Sequence, residues 1–222
     1  MAVIYLQMKI YKRFADPATK RHTGGKMRFR KSTKFSTALK EKVKIRETML
    51  DKIKDKKVLD CYAGLGELYN ACYSEYDYTG LDCKIRKAFT ENLIEIENTK
   101  FLRSENLNEF TVFDLDAFGN PWHQFGIILH RRTSEKPFVV FITDGIVRST
   151  FYGYIPTNMR KYINIPKKMK IPCINRHIDF IRKLFIKKMC EKTNHKIISC
   201  IASTNASQKV RYIGLEIAKG TW

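Results

Sequence analysis

Val58-Leu59-Asp60-Cys61-Tyr62-Ala63-Gly64-Leu65-Gly66-Glu67-Leu68-Tyr69 sets the reading of this chain. An apolar run that begins at Lys57 meets an acid, Asp60, and then a loop with two glycines, Gly64 and Gly66. A helix is expected from about Glu67. Strand, glycine loop and helix make the nucleotide-binding opening of a doubly wound α/β domain, whose ligand lies outside the carboxyl end of the strand. A second apolar run, Tyr78 to Leu81, ends in Asp82, suited to accept hydrogen bonds from two ribose hydroxyls. A lone G-x-G is weak on its own, since any unit of this class carries one.

Two details narrow the choice. The dinucleotide fingerprint needs a third glycine for tight helix–strand packing, and Tyr69 stands there. Asp60 also sits just before the loop, where its charge repels a pyrophosphate but attracts a sulfonium or an ammonium. Both features suit S-adenosylmethionine better than a nicotinamide dinucleotide. The segment resembles motif I of class I methyltransferases, followed by their ribose-binding acid. The resemblance implies that Asp60, Gly64, Gly66 and Asp82 bind the cofactor. It also puts the residue after the third strand, Glu105 or Asn106, near the adenine.

Composition sets the outer bounds. A chain of 222 residues can hold one α/β domain with a real core and a modest extension. A hydrophobic fraction of 44% excludes a disordered chain. No apolar run reaches membrane-spanning length, and Met1 to Leu6 reads as a strand or helix, not as a secretory leader. Six cysteines at 61, 72, 83, 173, 190 and 200 include no C-x-x-C pair. They suit buried thiols in a reducing cytoplasm better than zinc or a disulfide framework. The expected compartment is the cytoplasm, or that of a host cell if the Lys- and Ile-rich composition reflects an AT-rich viral genome.

Charge is unevenly distributed along the chain. The total of +20 divides into +13 over residues 1–57, −6 over 58–147, +11 over 148–196 and +2 over the remainder. An acidic central block flanked by basic ones is the electrostatic footprint of a polyphosphate partner. A membrane surface fits less well, because the basic stretches lack an amphipathic helix with an apolar insertion face. Within 16–37, Lys26, Arg28, Arg30 and Lys31 alternate with Met27 and Phe29. Cations interleaved with aromatics suit phosphate contact and base stacking; a solvated basic arm explains them equally well.

The pattern of elements is that of alternating strand and helix. Strands are expected near 57–61, 78–82, 99–103, 110–116, 138–143, 196–202 and 210–218. Helices are expected near 36–53, 66–74, 84–96, 120–132 and 176–192. The last two strands are too close in sequence for a parallel crossover, so they form an antiparallel pair. The expected fold is a Rossmann-like α/β sheet of seven strands, mostly parallel with an antiparallel terminal strand, and helices on both faces. Residues 1–53 read as a basic extension with a helix and 54–222 as the catalytic domain. Residues 148–175 form a basic loop insertion whose three prolines discourage a long helix.

The fourth strand delivers F-D-L-D-A-F-G-N-P-W over residues 113–122. An exocyclic base amine has its lone pair delocalised into the ring. A carboxylate that accepts its N–H draws the nitrogen toward tetrahedral geometry, and an aromatic face pins the base. Asp116 suits the acceptor and Phe118 the stacking ring, with Asn120 and Pro121 beside the substrate. Asp114 is expected on the other face of the strand, toward the cofactor; a strand-end turn with one aspartate capping the next helix is the structural alternative.

D-L-D-A-F-G is similar to the D-x-D-P-F-G motif of the tRNA guanine-N2 dimethyltransferases. The run Phe138 to Gly145, F-V-V-F-I-T-D-G, is similar to that family's apolar strand ending in Thr-Asp. The resemblance covers roughly residues 55–147 and implies tRNA processing, with Asp116 and Phe118 facing the target base. Ala117 replaces the motif proline, and no counterpart is expected of the amino-terminal half of that family's catalytic domain or of its separate carboxyl-terminal tRNA-binding domain. Methyl transfer to nucleic acid, RNA before DNA, is therefore the broader expectation. DNA adenine-N6 or cytosine-N4 methylation and a nucleic-acid-binding protein without turnover are the alternatives. A homodimer or accessory protein would supply the recognition that a separate domain gives elsewhere.

Overall fold

A computed structural model describes residues 37–117, 119–145, 155–166, 174–204 and 210–220. Chain order runs α1 (Thr37–Leu50), β1 (Lys57–Asp60), a π-helical turn (Tyr69–Tyr73), β2 (Asp77–Asp82), β3 (Leu93–Glu95) and α2 (Asn98–Ser104). It continues with β4 (Val112–Leu115), α3 (Trp122–Arg131), β5 (Phe138–Asp144), α4 (Thr157–Ile163), α5 (Ile174–Lys192), β6 (His195–Thr204) and β7 (Arg211–Lys219). The strands form one seven-stranded sheet in the order β3-β2-β1-β4-β5-β7-β6. Strands β3, β2, β1, β4 and β5 pair in parallel, while β7 is antiparallel to both β5 and β6.

Side-chain alternation along the strands explains why the middle of the sheet is apolar on both faces. Val58, Val112, Val139 and Phe141 pack with Ile45 and Met49 of α1 and with Tyr73 of the π-helical turn. Their neighbours Leu59, Phe113, Val140 and Ile142 point the other way, into a core with Phe101, Trp122, Phe125 and Phe185. Helix α1 is thus part of the sheet's own core, although the sequence places it with the amino-terminal extension.

The third strand departs from the sequence reading. A helix over 84–96 and a strand over 99–103 are expected; the strand is Leu93–Glu95, and 98–104 is helical. Tertiary contacts override local propensity here. Gly80 to Asp82 pair with Leu93 to Glu95, and Phe89 is drawn over the glycine loop and against Tyr69. Glu97 then starts α2, its carboxylate accepting from the amides of Thr99 and Lys100.

Candidate cofactor and substrate site

Strands β1 and β4 are neighbours whose chain connections leave in opposite directions, so the crevice at their carboxyl ends is the switch point where ligands bind in open α/β sheets. The loop after β1 is tied across that crevice. The Ala63 amide donates to the Leu81 carbonyl, and the Gly64 amide donates to Asp82 Oδ2 at 3.1 Å. Asn98 Nδ2 donates to the Cys61 carbonyl, and Gln124 holds Asn98 in turn. The two glycines differ. Gly66 has φ +79° and a Cβ there would strike the Phe89 ring, so packing demands it. Gly64, at φ +57°, is exposed with no close neighbour over its open face, which leaves its backbone free for a ligand.

Asp60 and Asp114 are paired across β1 and β4, and Asp116 follows two residues on. Helix α1 places two cations one turn apart against this trio. Arg46 grips Asp114 with both ends of its guanidinium at 2.7 Å, and Tyr73 donates its hydroxyl to the same carboxylate. Burial alone would lower the Arg46 pKa, but the Asp114 charge outweighs it and holds the guanidinium protonated. Lys42 Nζ lies 2.6 Å from both oxygens of Asp116. Burial raises the Asp116 pKa, yet Lys42 and then Arg46 overcome that and keep it below the ordinary carboxylate range.

Among the described residues Asp60 has no such cation. It is 2% exposed, and among the described residues its oxygens accept from the Tyr62 amide and the Tyr78 hydroxyl alone. Burial first, and then the charge of Asp114, push its pKa up to about 8. Among the described residues three grouped carboxylates meet two cations, so Asp60 is held largely protonated near neutral pH and would ionise fully only beside a positively charged ligand.

Asp60, Gly64 and Asp82 converge at this edge, and Asp116 lies at the adjoining end of β4. Asp114 does not lie on the opposite face from Asp116: residues two apart in an extended chain share a face, and both meet α1. Asp114 is also fully buried, with its oxygens held by Arg46 and Tyr73. It faces those partners and not the cofactor crevice. Glu105 and Asn106 lie at the other edge of the sheet, because a helix and not a strand precedes them. Asn106 starts the short turn to Glu109, which pairs with Lys57 at the beginning of β1. The residues just past β3 are instead Ile96, Glu97 and Asn98.

Asn120 is exposed and caps α3 through the Trp122 amide, while Pro121 is buried beneath it. Phe118, Lys26, Arg28, Arg30 and Lys31 lie outside the described residues, as does much of 148–175. Sequence reasoning missed Lys42, Arg46, Tyr73 and Asn98. Only the i,i+4 spacing of Lys42 and Arg46 on an otherwise amphipathic helix could have pointed to two of them.

No family model matches the sequence, and no curated protein matches it. The three-dimensional structure is similar to that of Trm1 from Pyrococcus horikoshii in complex with S-adenosyl-L-methionine. Identity is 14% and the TM-score 0.56, over 82% of this chain and 55% of that one. The fold is that of the class I methyltransferases. The structure is also similar to that of a candidate hemolysin from Streptococcus thermophilus, at 8% identity and a TM-score of 0.52, over 87% of this chain and 70% of that one. Similarity at this level carries architecture; activity has to be argued from the residues of the site. The chain spans about half the length of the Trm1 chain it matches.

Proposed function

We propose that this chain methylates an exocyclic base amine of nucleic acid, RNA before DNA and guanine-N2-like, using S-adenosylmethionine. The observation that carries the proposal is Asp60, a buried acid at the switch point with no protein cation among the described residues. It suits a ligand that brings its own positive charge. Asp82, at the end of β2 and already against the loop, holds the ribose, and the open backbone at Gly64 meets the methionine part. Bound S-adenosylmethionine would supply the electrophilic methyl group. Asp116 accepts the N–H of the target amine and Phe118 pins the base. Lys42 keeps Asp116 ionised until the amine takes its place.

A second reading, a nucleic-acid-binding protein without turnover, is favoured by one observation: Lys42 already contacts both oxygens that the amine needs. Ala117, in place of the motif proline, points the same way. Calorimetry with S-adenosylmethionine, followed by transfer of labelled methyl to RNA and DNA pools, separates the readings. Wild type should bind the cofactor and label RNA. Asp116→Ala should bind it equally well and lose roughly 30- to 1000-fold in transfer, as expected for removal of one well-placed transition-state partner. Cofactor binding with no transfer to either pool would select the second reading, and labelling confined to DNA would redirect the substrate.

A further inference from the structure

Cations around the candidate site are paired with acids: Lys42 with Asp116, Arg46 with Asp114, and Arg182 and Arg211 with Asp144 and Asp179. Across the sheet from α1 the pattern changes. Two hollows of about 320 and 440 Å³ lie among α2, α3, α4 and α5 and share Tyr162. Arg103, Arg131, Lys161, Lys188 and Lys192 border them, and among the described residues none is in an ion pair. Arg103 acts on the Glu97 carboxylate only at longer range, and the close contacts of three of the cations are with neutral groups. Arg103 reaches His123 Nε2 at 3.2 Å, Arg131 donates to the Glu105 carbonyl, and Lys192 lies over the Tyr162 ring. Glu191, the acid on this lining, pairs with Lys187.

Five cations stand here against one acid on the lining, Glu191, and the nearby Glu97; the excess positive charge is self-repelling, a cost that an anionic occupant removes. Three of them come from the basic block 148–196. Arg103 and Arg131 come from the acidic block and join them only in the fold. The charges are spread over four helices, which suits a chain of phosphates better than one small anion. Helix α3 begins six residues after Asp116, so one end of this face adjoins the loop that carries the candidate amine acceptor. We propose that the α3–α4–α5 face is the track on which the phosphodiester backbone of the nucleic-acid substrate lies. This rests on the nucleic-acid reading above and adds where the strand runs.

The test uses the full chain, a fluorescein-labelled 20-nucleotide single-stranded RNA, and a titration across salt concentrations. Combined Lys161→Ala, Lys188→Ala and Lys192→Ala should lower the slope of log affinity against log salt by about 2, at about 0.7 per lost contact. Affinity at about 0.15 M salt should fall on the order of tenfold to a hundredfold. A control carrying Lys54→Ala, Lys136→Ala and Lys196→Ala should change the slope by less than half as much. Arg103→Gln with Arg131→Gln gives a second variant on different helices, and its slope should also fall.

Cofactor binding should be unaffected in all of these. An unchanged slope in both track variants overturns the proposal, as does an equal loss in the control. Polyglutamate that displaces the RNA at equal charge overturns it too, because the face would then be a general polyanion surface. Wild type that ignores S-adenosylmethionine but binds RNA through these lysines removes the methyltransferase reading and leaves the track standing.

Discussion

Asp60 is unfavourable for the unliganded fold, and the proposed function makes the same residue necessary for binding. Its oxygens accept from Tyr62 and Tyr78, neutral donors that satisfy geometry but cancel no charge. Asparagine has nearly the same shape, and the Tyr78 hydroxyl can turn to accept from the new amide. Asp60→Asn should therefore leave the unliganded protein at least as stable as wild type at pH 8.5, measured by urea denaturation. The same variant should bind S-adenosylmethionine roughly tenfold to a hundredfold more weakly, as for loss of a bond worth about 1.5–3 kcal/mol to a charged group. A variant that unfolds readily yet binds normally would make Asp60 a structural residue. The placement of Asp60, Gly64 and Asp82 at the strand ends was legible in sequence because strand, acid and glycine follow one another locally. The charge shortage at Asp60 was not, since it depends on which acids α1 reaches.

At the scale of elements, what joins α1 to β4 is the Arg46–Asp114–Tyr73 cluster, with Arg46 only 2% exposed and Asp114 0%. Removing one partner of a buried ion pair strands the other, at a cost of about 3–5 kcal/mol. Replacing the whole cluster with apolar groups avoids that penalty. Asp114→Ala should therefore destabilise strongly in urea denaturation, and Asp114→Leu with Arg46→Met and Tyr73→Phe should recover much of the loss. An Asp114→Ala protein as stable as wild type would show that the cluster contributes nothing.

Sequence patterning revealed most elements because their apolar runs match the burial of the sheet, as in β5, which is buried throughout. It failed at 84–104, where the decision is made by long-range partners. Phe89 covers Gly66, and Leu93 to Glu95 pair with β2. The misplaced strand carried the adenine-side assignment to Glu105 and Asn106, at the far edge of the sheet.

At the scale of the molecule, two buried groups give stability opposite slopes with pH. The Asp60 pKa is raised from 3.8 to about 8. Its contribution is full below about pH 4 and is lost as pH rises through about 8. His195, buried at the start of β6, is lowered from 6.5 to about 4 by burial and then by the Lys219 charge. Its contribution is present above about 6.5 and is lost as pH falls through about 4. The two oppose each other between those values, while from 6.5 to 8 the Asp60 decline is unopposed. Urea midpoints of the unliganded protein should therefore fall from pH 6.5 to 8, and Asp60→Asn should abolish that fall. Saturating S-adenosylmethionine should abolish it as well, because the ionised carboxylate then has its missing cation. Linkage makes the effect reciprocal, so cofactor affinity should strengthen over the same window. A fall of equal size with and without the cofactor would mean that the ligand's charge does not sit at Asp60, and the switch-point assignment would lose its main support.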